Sequence, residues 1–269
     1  MKTIGIIGCG NMGEAILAQS LKRKGKSFVI FDKDKSKQNR LARLYRVPSA
    51  NDITDLMRKS DILIIAVKPQ DIDILLEVAS KSILLCGKTD ILIISIAAGI
   101  NTEYIENTIS GRVRVIRAMP NMPARIGKGI TALTKGRFAA DKDYKAAQDI
   151  FKSLGQVLLI LREDLIDVVT ALSGSGPAYI FFILSAFLAA AEELGLDKNS
   201  ASKLIYHTVI GSADLLKASK FKAEDLISQV ASPGGTTEAA LNIFNERKIK
   251  KIIREAIIAA YKRAGELSR

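Results

Sequence analysis

Between Thr3 and Leu161 the chain alternates short β-branched runs with amphipathic stretches, and one run, Ile62-Leu63-Ile64-Ile65-Ala66-Val67, is apolar at every position. Side chains of a strand point alternately to two faces, so a run without a polar position has no face to offer to water. Such strands belong in a parallel sheet covered by helices on both sides. The strands expected are Thr3–Gly8, Phe28–Asp32, Ile62–Val67, Asp90–Ser95, Arg114–Met119, Gly129–Thr134 and Gln156–Leu161. Residues 1–161 are therefore expected to form an α/β domain built on a doubly wound sheet.

From Glu163 onward the β-branched runs vanish, and apolar residues recur at helical spacing through Tyr179–Leu194, Asp197–Lys217, Thr237–Asn245 and Lys250–Leu267. Residues 162–269 are expected to form a second, all-helical domain. So much apolar surface on so small a unit is hard to bury alone, which predicts a homodimer. The uncharged stretch Val168 to Ala191 has the length of a membrane span. Ser173-Gly174-Ser175-Gly176-Pro177 is expected to divide it into two short helices buried against protein, so no membrane partner is expected.

The first run leads into Gly8-Cys9-Gly10-Asn11-Met12-Gly13 and then a helix expected over Glu14–Lys24. Strand, glycine turn and helix in that order are the context in which G-x-G-x-x-G marks a dinucleotide site. Gly8 permits the tight turn, Gly10 clears space for a pyrophosphate, and Gly13 lets helix pack on strand. Asn11 and Met12 lie in the loop whose N–H groups meet the phosphates at the positive end of the helix. Asp32 follows the last glycine by 32 − 13 = 19 residues, where a carboxylate accepts from ribose hydroxyls. That favours NAD, whereas Lys33, Lys35, Ser36 and Lys37 are suited to a 2′-phosphate or to a solvated helix start, so NAD and NADP both stay open. Val67, Lys68 and Pro69 after the third run, and Ala97, Ala98 and Gly99 after the fourth, end strands on the side where such sheets bind ligands.

Three further segments carry a resemblance to a known family. Arg117-Ala118-Met119-Pro120-Asn121-Met122-Pro123-Ala124, Gly174-Ser175-Gly176-Pro177-Ala178-Tyr179 and Ser232-Pro233-Gly234-Gly235-Thr236-Thr237 resemble the signature segments of pyrroline-5-carboxylate reductases, and the likeness extends over essentially the whole chain. The resemblance implies NAD(P)H-dependent reduction of 1-pyrroline-5-carboxylate to L-proline. It implies an N-terminal Rossmann domain and a helical C-terminal dimerisation domain interlocked with a second subunit, so that each active site draws on two chains. It assigns Gly234, Gly235, Thr236 and Thr237 to the substrate carboxylate and Thr237 also to the ring nitrogen; Asn121, in a loop stiffened by Pro120 and Pro123, is expected near the nicotinamide or imine, and Ser175 is expected to reach the pocket as a catalytic residue beside Thr237. One departure is the lysine-rich Ser219-Lys220-Phe221-Lys222-Ala223-Glu224-Asp225, where relatives often have a proline and fewer charges.

The residues agree with that chemistry. Gly234 to Thr237 open a helix, whose N–H groups and hydroxyls suit a carboxylate. A hydroxy-acid dehydrogenase needs a base for the hydroxyl proton, yet no Lys stands between Lys152 and Lys198. A cyclic imine protonated by solvent asks for orientation and a dry pocket instead. Cys9 and Cys86 are too few for a disulfide framework, no metal-ligand spacing occurs, and His207 is expected to be structural, all of which suits a cytoplasmic enzyme without a metal. The net charge of 40 − 28 = +12 gathers at Lys22 to Arg46 and Arg247 to Arg263 without interleaved aromatics, which predicts solvated faces rather than a nucleic-acid surface.

Overall fold

The computed structural model describes residues 2–269 except 24, 89, 110 and 111. The expected helix end at Lys24 lies outside the described residues. Strands β1 (Thr3–Ile7), β2 (Ser27–Phe31), β3 (Ile62–Ile65), β4 (Leu92–Ser95), β5 (Arg114–Met119), β6 (Gly129–Lys135) and β7 (Gly155–Leu159) form one sheet in the order β2-β1-β3-β4-β5-β6-β7. The helices are α1 (Asn11–Leu21), α2 (Lys35–Tyr45), α3 (Ile53–Lys59), α4 (Ile72–Cys86), α5 (Thr102–Thr108), α6 (Asp141–Phe151), α7 (Leu165–Val169), α8 (Gly176–Glu193), α9 (Lys198–Ala218), α10 (Ala223–Val230), α11 (Thr236–Glu246) and α12 (Ile249–Leu267).

The apolar run that predicted a two-faced sheet behaves accordingly. Ile62 and Ile64 of β3 join one core with Ile16 and Leu17 of α1 and Phe151 of α6. Leu63 and Ile65 join the other, with Leu56 and Met57 of α3 and Leu76 of α4. All four are buried, and each such side chain contributes on the order of 2 kcal/mol on leaving water. β1 to β5 pair in parallel, but β6 runs antiparallel to β5. The connection explains the reversal: between Met119 and Gly129 there is only a short 3₁₀ turn, Met122–Ile126, and a parallel return needs a longer crossover. α6 supplies such a crossover, and β7 pairs with β6 in parallel.

The chain divides into two compact units, one of residues Met1–Pro177 with Ala260–Arg269 and one of Ala178–Ala259. In the first, the end of α12 is stitched to the loop after β4. The Arg269 N–H donates to the Gly99 carbonyl at 2.7 Å, and the Asn101 N–H donates to the Arg269 carbonyl at 3.0 Å. In the second, helices account for nearly all residues, and Ala201 is the one buried residue, while Phe182 is 77% exposed. The lysine-rich segment leads straight into α10, whose first turn is held by the Lys222 N–H donating to Asp225 at 2.9 Å.

Two expectations are corrected. α1 starts at Asn11, three residues before Glu14, so the second half of the glycine segment is already helical. Ser173 to Pro177 do not break the apolar stretch, which is helical from Leu165 to Glu193. Thr170–Gly174 forms a π-helical turn, with the Ser175 N–H donating to Thr170 five residues back at 2.9 Å. Pro177 has no N–H for the carbonyl of Ser173 and its ring would crowd that carbonyl, and a turn widened by one residue accommodates both. By length and composition this helix could cross a membrane, and none of its most apolar window is buried in the single chain.

Candidate active site

The parallel strands β1 to β5 present their carboxyl ends on one rim, where Asp32, Gly8, Val67, Ala97 and Asn121 follow one another. Gly8 has φ +103, and a Cβ there would strike the Ala66 carbonyl. At Gly13 a Cβ would strike the Gly8 carbonyl, so the first and third glycines are required by the protein's own packing. Gly10 differs: nothing lies within 4 Å of an added Cβ, and the residue is exposed. The open cradle beside Gly10 is where an external group can approach the backbone. Gly10 caps α1 in an extended conformation without any side-chain acceptor, which leaves the first N–H groups of the helix, near exposed Asn11 and half-buried Met12, to an anion.

α11 opens in the same way. Its cap, Gly235, is extended and offers no side-chain acceptor, whereas α2, α3, α5 and α9 are capped by the carboxylates or amide of Asp34, Asp52, Asn101 and Asp197. Gly234 takes φ +70, which favours glycine. Its N–H donates to Glu238 Oε2 at 2.7 Å, and the Gly235 N–H donates to the Ser232 carbonyl at 3.0 Å. The N–H groups of Thr236 and Thr237 belong to the first turn, which has no carbonyl a turn earlier to bond.

Asp32 follows β2 directly. Its Oδ2 accepts from the Cys9 N–H at 2.6 Å and its Oδ1 from the Asp34 N–H at 2.8 Å, so two backbone donors fix its orientation beside the glycine turn. Lys33 reaches Asp71 at 2.6 Å. Lys68 and Pro69 are exposed at the start of a 3₁₀ turn, and Val67 packs on the core. Ala97 is buried in that core and Ala98 is half-buried, so of the two only Ala98 offers accessible surface. Cys9 is buried, and burial pushes its thiol up to about 12, which keeps it protonated and inert.

Asn121 is committed within the protein. Its side-chain oxygen accepts from the Ile130 N–H at 3.0 Å, and its amide donates to the Ser173 hydroxyl at 3.4 Å. It ties the loop after β5 to β6 and to the π-helical turn, where half-buried Ser175 lies. A Cβ on Gly174 of that turn would meet Met119 Cε at 2.6 Å, a contact that the flexible end of the methionine can relieve.

Sequence reasoning missed the groups that brace the rim. Arg117, 3% exposed at the end of β5, pairs with Glu163 at 3.4 Å and Asp167 at 3.2 Å. Glu163 in turn accepts from the Thr102 N–H at 2.8 Å and from its hydroxyl at 2.5 Å, holding the start of α5. Ser268 donates to the other oxygen of Asp167 at 2.8 Å. A signal was present, since an arginine inside the strand Arg114-Val115-Ile116-Arg117-Ala118-Met119 must find carboxylates if the strand is covered on both faces. Asp73 accepts from Tyr104 and Arg269, each at 2.7 Å, and nothing in the sequence links positions so far apart.

Two family models match the chain: one described as pyrroline-5-carboxylate reductase dimerisation over residues 163–267, and one described as NADP oxidoreductase, coenzyme F420-dependent, over residues 3–99. A pyrroline-5-carboxylate reductase of Synechocystis sp. is 34% identical over 269 residues, covering 99% of this chain and 98% of the relative. The solved structure of a pyrroline-5-carboxylate reductase from Coxiella burnetii matches with a TM-score of 0.88 at 32% identity, covering 100% of this chain and 99% of that one. Plasmodium falciparum pyrroline carboxylate reductase, solved with NADP bound, matches with a TM-score of 0.86 at 25% identity, covering 100% and 98%.

Proposed function

The chain belongs to the pyrroline-5-carboxylate reductase family, and on that premise we propose that it reduces 1-pyrroline-5-carboxylate to L-proline, the final step of proline biosynthesis, with NADH or NADPH. The observation that carries this is the pair of helices, α1 and α11, that open after glycine with no side chain over their first N–H groups. One suits the pyrophosphate of a dinucleotide and the other a small carboxylate.

When bound, the coenzyme supplies a hydride to the imine carbon. Gly8, Gly10 and Gly13 shape the turn that receives the pyrophosphate, the N–H groups of Asn11 and Met12 donate to it, and Asp32 accepts from the ribose hydroxyls. Lys33, Val67, Lys68, Pro69 and Ala98 border the rest of the coenzyme, with buried Ala97 and Gly99 shaping the rim behind them. Thr236 and Thr237 donate N–H and hydroxyl bonds to the substrate carboxylate, with Gly234 and Gly235 setting the turn. For the Gly234 N–H to join them, Glu238 must release it. The Thr237 hydroxyl serves the ring nitrogen. Asn121 and Ser175 line the pocket through the loop and turn that Asn121 holds together. Solvent protonates the imine, so the protein contributes orientation and exclusion of water rather than a strong base.

The functional boundary falls between residues 161 and 162, coenzyme domain before and dimerisation and substrate domain after. The working form is a cytoplasmic homodimer, or a larger assembly of dimers, whose apolar helices face a second copy rather than lipid or nucleic acid. Measuring consumption of NADH and NADPH in parallel with the imine tests the function. Imine-dependent oxidation of either is expected. No consumption with the imine, together with reduction of NAD or NADP by a hydroxy acid, would replace the assignment.

A further inference from the structure

We propose that this chain selects NADH against NADPH, and that it does so with two carboxylates, Asp32 and Asp34, the second of which fills the place a 2′-phosphate would take. The inference rests on the dinucleotide site proposed above, and it concerns residues that the ribose end of the coenzyme meets after β2.

Asp32 is oriented by the N–H groups of Cys9 and Asp34, and among the described residues it makes no ion pair. A carboxylate accepts from two ribose hydroxyls, but a phosphate brings no hydrogen to donate and a charge of about −1.5 to −2, so acceptor would face acceptor. That alone disfavours NADPH. The usual remedy is a cation or a helix N-terminus nearby, and α2 begins at Lys35. Here Asp34 has taken that position. Its Oδ1 accepts from the Ser36 N–H at 3.0 Å, the Ser36 hydroxyl at 2.7 Å and the Lys37 N–H at 3.3 Å. These are the donors a phosphate would need.

The neighbouring cations are also committed. Lys33 is paired with Asp71 at 2.6 Å, Lys37 with Asp34 at 3.4 Å, and Arg40 with Glu14 at 2.5 Å. Lys35 donates to the Asn51 carbonyl at 3.1 Å and lies 4.7 Å over the Phe31 ring. The hydrogen bond from Ser36 holds the Asp34 carboxyl at about 2, so the group stays charged at any working pH.

The test is titration of the intact protein with NADH and with NADPH, followed by nicotinamide fluorescence without substrate. NADH is expected to bind at least about tenfold more tightly, with the gap narrowing as salt screens these exposed charges. Asp34→Ser keeps a neutral helix cap while vacating the anion site, so it should tighten NADPH several-fold and change NADH less. Asp34→Asn, also a good cap, serves as the second variant. Equal or tighter binding of NADPH by the unaltered protein overturns the inference, as does an NADPH:NADH ratio that neither variant moves. If neither coenzyme binds, the dinucleotide site itself is wrong and the inference falls with it.

Discussion

The proposed chemistry concentrates on Thr237, where a single oxygen separates a working site from a capped helix. Thr237→Ala keeps the backbone donors and removes the hydroxyl meant for the ring nitrogen. The expected result is a fall in kcat/KM of about a hundredfold, the loss of one hydrogen bond that positions the ring nitrogen for hydride transfer, with an unchanged circular dichroism spectrum. Glu106 gives a residue-scale prediction about stability. It is buried, one of its carboxyl oxygens has no hydrogen-bond partner among the described residues, and burial raises its pKa above the ordinary carboxylate value. Between the ordinary value and the raised one, the folded state keeps a proton that the unfolded state gives up, so stability falls as pH rises through that window. Glu106→Gln removes that decline. Melting curves of the two proteins should nearly coincide near pH 4 and separate by pH 7, with the variant the more stable.

What could be seen in the sequence at this scale was whatever acts through its own backbone neighbourhood. Gly8, Gly13 and Asp32 are constrained by the strand and helix that flank them, and the order of residues displays it. Asn121 announced a loop near the rim but not its partners, because Ile130 and Ser173 come close only after β6 and the π-helical turn are in place.

Among the elements, the sheet was legible because each of its strands is short, β-branched and bounded by turn residues. Its antiparallel turn at β6 was not, since direction depends on the length and conformation of the connection rather than on the strand's own residues. The π-helical turn escaped for a related reason: glycine, serine and proline together read as a stop, yet a helix can absorb them by widening. Arg117 joins these elements, linking β5 to α7 and, through Glu163, to α5. Arg117→Met leaves Glu163 and Asp167 without their cation, and breaking one side of such a buried arrangement costs about 3–5 kcal/mol. In a unit of this size that corresponds to a drop of about 10 °C in the melting temperature, measurable by calorimetry.

For the whole molecule, the expectation of association came from apolar surface in excess of what 108 residues can cover, and the matched dimerisation model spans residues 163–267. If each active site takes its coenzyme from one chain and its carboxylate grip from another, two dead variants should rescue each other. Gly13→Ala, which places a methyl group against the Gly8 carbonyl, and Thr237→Ala should each be nearly inactive alone. Refolded together at equal concentration, they should recover about a quarter of the unaltered activity, because half of a random mixture is mixed dimer with one intact site out of two. Rates that stay at the level of the separate variants would show that one chain supplies the whole site.

Ala201 is the one side chain fully withdrawn from water between Ala178 and Ala259. A segment with so little interior of its own is expected to borrow one, so that for these 82 residues folding and meeting a partner become a single event. Dilution then acts on it as heat does, and a newly made chain without a companion carries a finished coenzyme domain attached to a segment that has yet to acquire a reason to stay folded.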